Sequence, residues 1–187
     1  VYFGDGSYCA MEDGAKLHYF SKQLGKMIKA TVDAGGNRTS YARIDPVGGA
    51  KYLFINPYLL DPTDNNTMYL AGGKYLWRNN KLRTIPLAGN NDSITFGWTK
   101  GTDSIPLRNE FISAIGISSN PAHRVYYGST MKKLYRVDSA DLSTTLKPKD
   151  ITALAFPSAY VSCVAVDPRN ADRLMVSFSN YNVYSIF

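Results

Sequence analysis

"DPTDNNTMYLAGGKYLWR", residues 61–78 of a 187-residue chain, opens on Asp-Pro and a polar turn, runs into an apolar strand that closes in small residues, and ends in a second short strand. Proline presets φ for a tight turn, and the Asp carboxylate can accept a hydrogen bond from the backbone that follows. Ahead of it stands the apolar run "YLFINPYLL", so three antiparallel strands follow one another. The same order returns in "SNPAHRVYYGSTMKKLYR" (residues 119–136) behind "FISAIGIS", and in "DPRNADRLMVSFSNYNVYS" (residues 167–185) behind "YVSCVAV". An earlier unit enters at "VYFGDG" and continues to a third strand in "KLHYFS". Equivalent third-strand positions then fall at Leu17, Leu76, Leu134 and Val183, at intervals of 59, 58 and 49 residues.

Units of this length carry three or four strands and cannot bury both faces of their own small sheet. Radial stacking of the sheets solves that problem and gives a β-propeller. A β-solenoid uses shorter coils, and an immunoglobulin-like sandwich does not repeat one turn at one place. The expected fold is therefore all-β, a partial β-propeller of about three and a half blades of four antiparallel strands. Its approximate units are residues 1–50, 51–108, 109–157 and 158–187. Fourth strands are expected near "KMIKATV", in "LRTIPL" or "ITFGWTK", and near "TTLKP" or "ITALAF". Because Val1 enters at a second strand and Phe187 leaves just after a third, the sequence reads as a piece of a longer parent, whose remaining blades or domains are its expected partners.

Composition agrees with a strand-rich globular chain: 44% hydrophobic, 19% charged, with 14 Tyr against 2 Trp. The net charge of +6 comes from interspersed side chains; the basic clusters, Lys132-Lys133 and "KPK" at residues 147–149, are too short for a nucleic-acid footprint, and no nucleic-acid partner is expected. No membrane-spanning run is present, and nothing at the start resembles a leader peptide. Cys9 and Cys163 match no metal or redox spacing; Cys163, inside "YVSCVAV", reads as a buried free thiol in preference to a disulfide. His18 and His123 have no spaced partner for zinc or a nucleophile triad, so neither a metal nor a cofactor is expected. The sequons at Asn37, Asn65 and Asn91 matter only in a secreted eukaryotic protein.

The residues Asp61-Pro62 with Leu76-Trp77-Arg78, Asn120-Pro121 with Leu134-Tyr135-Arg136, and Asp167-Pro168 with Val183-Tyr184-Ser185 give the chain a resemblance to sialidase-type or BNR-repeat propellers, including sortilin-like and xyloglucanase-like members. Its Asp box, S-x-D-x-G-x-x-W after the third strand, is degenerate here: "FSKQLGKM", "WRNNKLRT" and "YRVDSADL" keep at most Gly25 and Asp138. The resemblance implies a secreted or cell-surface protein whose ligand, protein or glycan, meets the top face. That face comprises the second-to-third strand loops and those entering each inner strand, opposite the Asp-Pro turns. Three stretches there supply candidate binding residues. The apparent insertion "DGSYCAMEDGAK" carries Tyr8 and Glu12, "SYARIDPVGGAK" carries Arg43 and Asp45, and "KGTDSIPLRNE" carries Arg108 and Glu110. A glycoside hydrolase needs two carboxyl groups flanking the bond, and Glu12 and Glu110 are the only glutamates. The reading that follows is a non-catalytic binding or scaffold module; the alternative is part of a xyloglucanase-like or sialidase-like hydrolase.

Overall fold

A computed structural model describes residues 4–105, 109–142 and 144–187. It is all-β, built of four consecutive antiparallel sheets stacked face to face as propeller blades. Sheet one holds β1 (Gly6–Met11), β2 (His18–Lys22), β3 (Met27–Val32) and β4 (Arg38–Arg43). Sheet two holds β5 (Tyr58–Leu60), β6 (Met68–Gly72), β7 (Tyr75–Asn79) and β8 (Trp98–Lys100). Sheet three holds β9 (Ile112–Ser119), β10 (Ala122–Ser129), β11 (Leu134–Val137) and β12 (Lys149–Asp150). The fourth is the hairpin β13 (Tyr160–Asp167) and β14 (Asn170–Ser179), with an antiparallel bridge from Ser177 to Ile186 where a third strand would run. Each sheet is a meander with its strands hydrogen-bonded in chain order. Contacts join β1 to β5, β5 to β9 and β9 to β13, so the first strand of each sheet is the inner one.

The continuous apolar run of β6 has a direct cause. Met68 and Leu70 belong to the core shared with sheet one, together with Tyr19, Met27, Ile44 and Tyr58. Tyr69 and Ala71, pointing the other way, belong to the core shared with sheet three, with Ile112, Ile115, Val125 and Tyr127. Strand β10 repeats the division: Val125 and Tyr127 face sheet two, while Tyr126 joins Val161, Val164, Val176 and Phe178 toward the fourth sheet. A period of two with both faces covered removes the usual apolar/polar alternation. Each large side chain buried this way contributes about 1.5–3 kcal/mol. Between sheets three and four the backbones approach closely. A Cβ on Gly116 would lie 2.7 Å from the Val164 carbonyl oxygen, one on Gly128 would overlap the Val161 side chain, and Ser113 Oγ donates to Val161 O at 2.6 Å.

Two of the three Pro turns close as their chemistry predicts. Thr63 N donates to Asp61 Oδ1 at 2.9 Å, and Arg169 N donates to Asp167 Oδ1 at 2.8 Å. Asn120 departs: its side-chain amide donates to Arg169 O at 3.0 Å, tying the turn of sheet three to that of the fourth sheet.

The first unit differs from expectation. Residues 1–3, in the supposed second strand, lie outside the described residues, and the stretch expected to be a loop insertion contains the inner strand β1. "KLHYFS" is consequently the second strand, so Leu17 is not equivalent to Leu76, and "KMIKATV" is the third strand, with β4 as the fourth. The reason is exposure: β1 is largely open, so GSYCAM carries little of the apolar signal that marks β6 or β10. Cys163 is corrected too; it and Cys9 are both free and exposed.

Candidate functional site

The residues chosen from the sequence mostly turn inward. Tyr8 is half-buried on β1 with its ring 6.1 Å from that of Tyr58, and burial, with Tyr160 and Cys163 nearby, holds its phenol above the usual value. Tyr58 Oη donates to Tyr19 O at 2.8 Å, closing sheet two onto sheet one. Glu12 is 6% exposed and accepts from Arg83 Nε at 3.2 Å. The backbone N–H of its neighbour Asp13 donates to Asn65 Oδ1 at 2.6 Å, which places Glu12 beside the Asp61 turn. That is the face opposite the expected one.

Arg43 and Asp45 satisfy each other. The guanidinium donates to both carboxylate oxygens, at 2.7 and 2.9 Å, and Asp45 also accepts from Met27 N at 3.2 Å and Ser93 Oγ at 2.9 Å. A bidentate pair with these further donors fastens β4 to β3 and to the loop before β8. Arg108 lies outside the described residues. Glu110 is fully buried; Ser129 Oγ donates to its Oε1, and the same hydroxyl accepts from Met131 N and Lys133 N, closing the β10–β11 turn. Glu12 and Glu110 therefore sit at opposite ends of the blades and cannot flank one glycosidic bond.

His123, at the start of β10, gains partners that no sequence spacing announced. Its backbone is left-handed, with φ 61°, and its Nδ1 meets Asp61 Oδ2 at 2.9 Å while Nε2 lies 3.8 Å from Asp141 Oδ2. Desolvation pulls the imidazole down, but the Asp61 hydrogen bond and the charges of Asp61, Asp141 and Asp64 outweigh it and hold the pKa above the ordinary histidine value. This pair joins sheet two to sheet three on the Asp-Pro-turn side. Among the described residues no group of three or more His, Cys, Asp or Glu could hold a metal ion.

On the top face, loops from three places converge on a cleft of about 460 Å³. One wall is the segment entering β5, with Lys51; another is the β6–β7 turn, with Gly72, Gly73 and Lys74; Trp77, Lys100 and Ser104 complete it. Gly73 has φ +63°, and a Cβ there would lie 2.9 Å from Ala50 O, so glycine lets the two walls touch. Lys100 Nζ lies 3.8 Å from the Tyr75 ring centroid and 5.9 Å from that of Trp77, a geometry in which the ring faces hold an ammonium. Trp77 is 7% exposed, and its indole N–H, under Gly72, is buried with no hydrogen-bond partner. The other tryptophan, Trp98, donates its indole N–H to Ile44 O at 2.7 Å. A larger cavity of about 580 Å³ near Lys132 is less suited to recognition by charge, because Lys133 and Asp150, 2.8 Å apart in its wall, neutralise each other.

Two of the segments that form the cleft, residues 40–51 and 100–110, stand out in the sequence as top-face stretches, but the residues that line it do not. Lys51 and Lys100 were the ends of those segments, and Trp77 was read as part of the repeat. No spacing pattern connects lysines at 51, 74 and 100; register and stacking do.

The architecture and the stacked inner strands define a β-propeller assembly. No family model matches the chain, and no curated protein matches it. Solved structures do. A COPII outer coat vertex on membranes is similar at 10% identity and a TM-score of 0.61, over 89% of this chain and 42% of that one. The β-propeller domain of Cps50 (Swd1) from Myceliophteria thermophila is similar at 9% identity and a TM-score of 0.59, over 97% and 49%. The WD40 domain of Pan2 from Neurospora crassa is similar at 10% identity and 0.54, over 98% and 50%. This chain thus spans half or less of the length of each, and the likeness establishes the fold. These neighbours are WD40-type propellers, which corrects the sialidase-type resemblance. The Asp-Pro turns and short strands that carried that resemblance serve any antiparallel propeller meander, and "FSKQLGKM", one of the supposed Asp-box remnants, joins a second strand to a third.

Proposed function

We propose that this chain is a non-catalytic, protein-binding propeller module that contacts its partner through the top face between sheets one and two. The observation that carries the reading is the cleft itself: three separate loops converge there on lysines, a hydroxyl and aromatic rings, with no carboxylate among the described residues that line it. Such a site can bind and orient but has no acid/base pair for hydrolysis. The propeller supplies the rigid frame on which recognition loops are displayed. Its partner can be another chain or further blades of a longer protein.

A photo-crosslinking residue at Ser104, on the cleft wall, is expected to yield adducts with one discrete polypeptide of the source cell, while the same probe at Gly36, on the distant β3–β4 turn, does not. Incubation with a panel of polysaccharides is expected to release no sugar. Sugar release, or identical polypeptide adducts at both positions, would overturn the proposal.

A further inference from the structure

We propose that two copies of this chain pair head to tail, the open face of the fourth sheet in each packing on the open face of sheet one in the other, so that together they close a ring of blades. These faces lie apart from the top-face cleft, and the inference goes beyond the binding reading above.

Strand β13 carries the first half of the argument. It reads YVSCVAVD, an apolar run of the same kind as β6 and β10. In β6 and β10 such a run is covered on both faces, one by each neighbouring sheet. In β13 only one face is covered. Val161 and Val164, with Phe178 and Val176 opposite them, pack against sheet three. Cys163 and Ala165, opposite Ser177 and Met175, turn the other way; both are exposed, and Met175 is more than half exposed. Ile186, bridged to Ser177, extends the row and is 66% exposed. An open sheet face made of small and apolar side chains is a surface for a second sheet.

Sheet one has the complementary open face. Tyr8 and Ala10 of β1 pack toward sheet two, while Cys9 and Met11, of the opposite parity, are exposed. Their partners on β2, Phe20 and His18, are only partly covered.

Two observations choose a second copy as the occupant. Each junction inside the chain joins unlike faces: β6 gives Met68 and Leu70 to sheet one but Tyr69 and Ala71 to sheet three. The stack is therefore directional and leaves one face of each kind open, and a second copy supplies both missing partners. A head-to-tail contact of this type runs on into a filament unless its rotation closes. The arc of the chain settles which: 97–98% of it lies along 49–50% of the Cps50 and Pan2 propellers, so two copies complete one turn.

One free thiol stands on each open face, Cys9 on β1 and Cys163 on β13, and both are accessible in the single chain. Sedimentation equilibrium of the full chain over a range of concentrations is expected to move from the mass of one chain to twice that mass, with no larger species. Met175→Asp puts a charge into both contacts of the pair and is expected to weaken association about a hundredfold, tenfold at each, since ~1.4 kcal/mol is tenfold. Leu142→Asp, at an exposed leucine in the turn after β11, is expected to leave association unchanged. Far-UV circular dichroism checks that both variants fold. Crosslinking tests the direction of pairing without relying on either. Cys9→Ser and Cys163→Ser chains, each keeping one thiol, are treated with a short bis-maleimide, separately and mixed; the mixture is expected to give a two-chain band on a denaturing gel and each variant alone is not. A single-chain mass at every concentration assigns the open faces to blades of another polypeptide and overturns the proposal. So does a mass that grows past two chains, an equal effect of Leu142→Asp and Met175→Asp, or a two-chain band from either single-thiol variant as strong as that of the mixture.

Discussion

Lys29 is the most consequential buried charge in the chain, and replacing it with methionine tests how sheets one and two are held. It lies on β3, is 1% exposed, and its Nζ donates to Leu82 O at 2.7 Å, Ile85 O at 2.8 Å and Arg83 O at 3.2 Å. Those carbonyls belong to the 3-10 turn Leu82–Thr84 that follows β7 and to the residue after it. One ammonium thus gathers three acceptors of the neighbouring sheet. Burial draws its pKa below the ordinary lysine value, with Glu12 opposing, which records the desolvation cost of the arrangement. Hydrogen bonds from a charged donor contribute ~1.5–3 kcal/mol each, so three lost together come to at least ~4.5 kcal/mol, and regained desolvation of the ammonium offsets ~1–2 of it. Lys29→Met should then cost about 3 kcal/mol, with methionine filling the aliphatic volume but satisfying no carbonyl. For a chain of this size each kcal/mol moves Tm by ~2–4 °C, so the melt should fall by about 6–12 °C. Urea denaturation followed by far-UV circular dichroism measures the same loss as a lower midpoint at unchanged slope. Exposed Lys26→Met is the control, expected within about 0.5 kcal/mol of the parent. A loss below ~1 kcal/mol for Lys29→Met, or one equal to that of the control, would refute the reasoning.

Gly128→Val should destabilise by about 2–3 kcal/mol, because its side chain must displace Val161 across the sheet three to four interface, whereas Gly6→Ala, with open space around it, should be close to neutral in the same urea titration. The His123 pKa is raised in the folded state, so the folded state binds the imidazole proton more tightly than the unfolded chain does, and protonation stabilises the fold. That stability is present below the ordinary histidine value of ~6.5 and is lost as pH rises through the folded value, so the urea midpoint should fall from pH 6 to pH 8.5. His123→Asn, which suits the left-handed backbone, should flatten that fall; an unchanged slope would remove the Asp61–His123 pair from the account. Both thiols are exposed and unpaired, so Cys9 and Cys163 should react with a thiol reagent in the native protein, and a group that reacts only after unfolding would contradict the described packing.

What was legible in the sequence followed from how completely a strand is covered. Strands β6 and β10, enclosed on both faces, are unbroken apolar runs beside strong turn residues, and they fixed the repeat. Strand β1 was missed because its exposed Gly6, Cys9 and Met11 leave only half-covered residues between them, and β4 because Arg38 and Thr39 begin it in the open. Charges were the harder reading. Arg43, Asp45 and Glu110 look like rim residues until the chain folds, when each finds a partner: Asp45 two residues from Arg43, and Ser129 nineteen from Glu110. A buried charge must be satisfied, and a partner distant in sequence, as Ser129 is for Glu110, leaves no trace in local spacing. The cleft lysines were overlooked for the complementary reason. They are ordinary surface lysines in sequence, and only the stacking of one sheet's turn against the next sheet's entry loop brings them together.

The division of β6 and β10 between two cores has a bearing on how the molecule comes apart. When every sheet is held chiefly by its two neighbours, stability is shared along the stack as a chain of nearest-neighbour couplings. Sheets two and three have company on both sides, whereas the outer face of the β13–β14 hairpin leaves Met175 more than half exposed and Cys163 open to solvent. Opening should therefore run inward from the outer sheets like a zipper. Amide hydrogens of Tyr69 and Tyr127 would be the last to exchange, and the order in which the strands release their protons would spell out the order in which the blades are stacked.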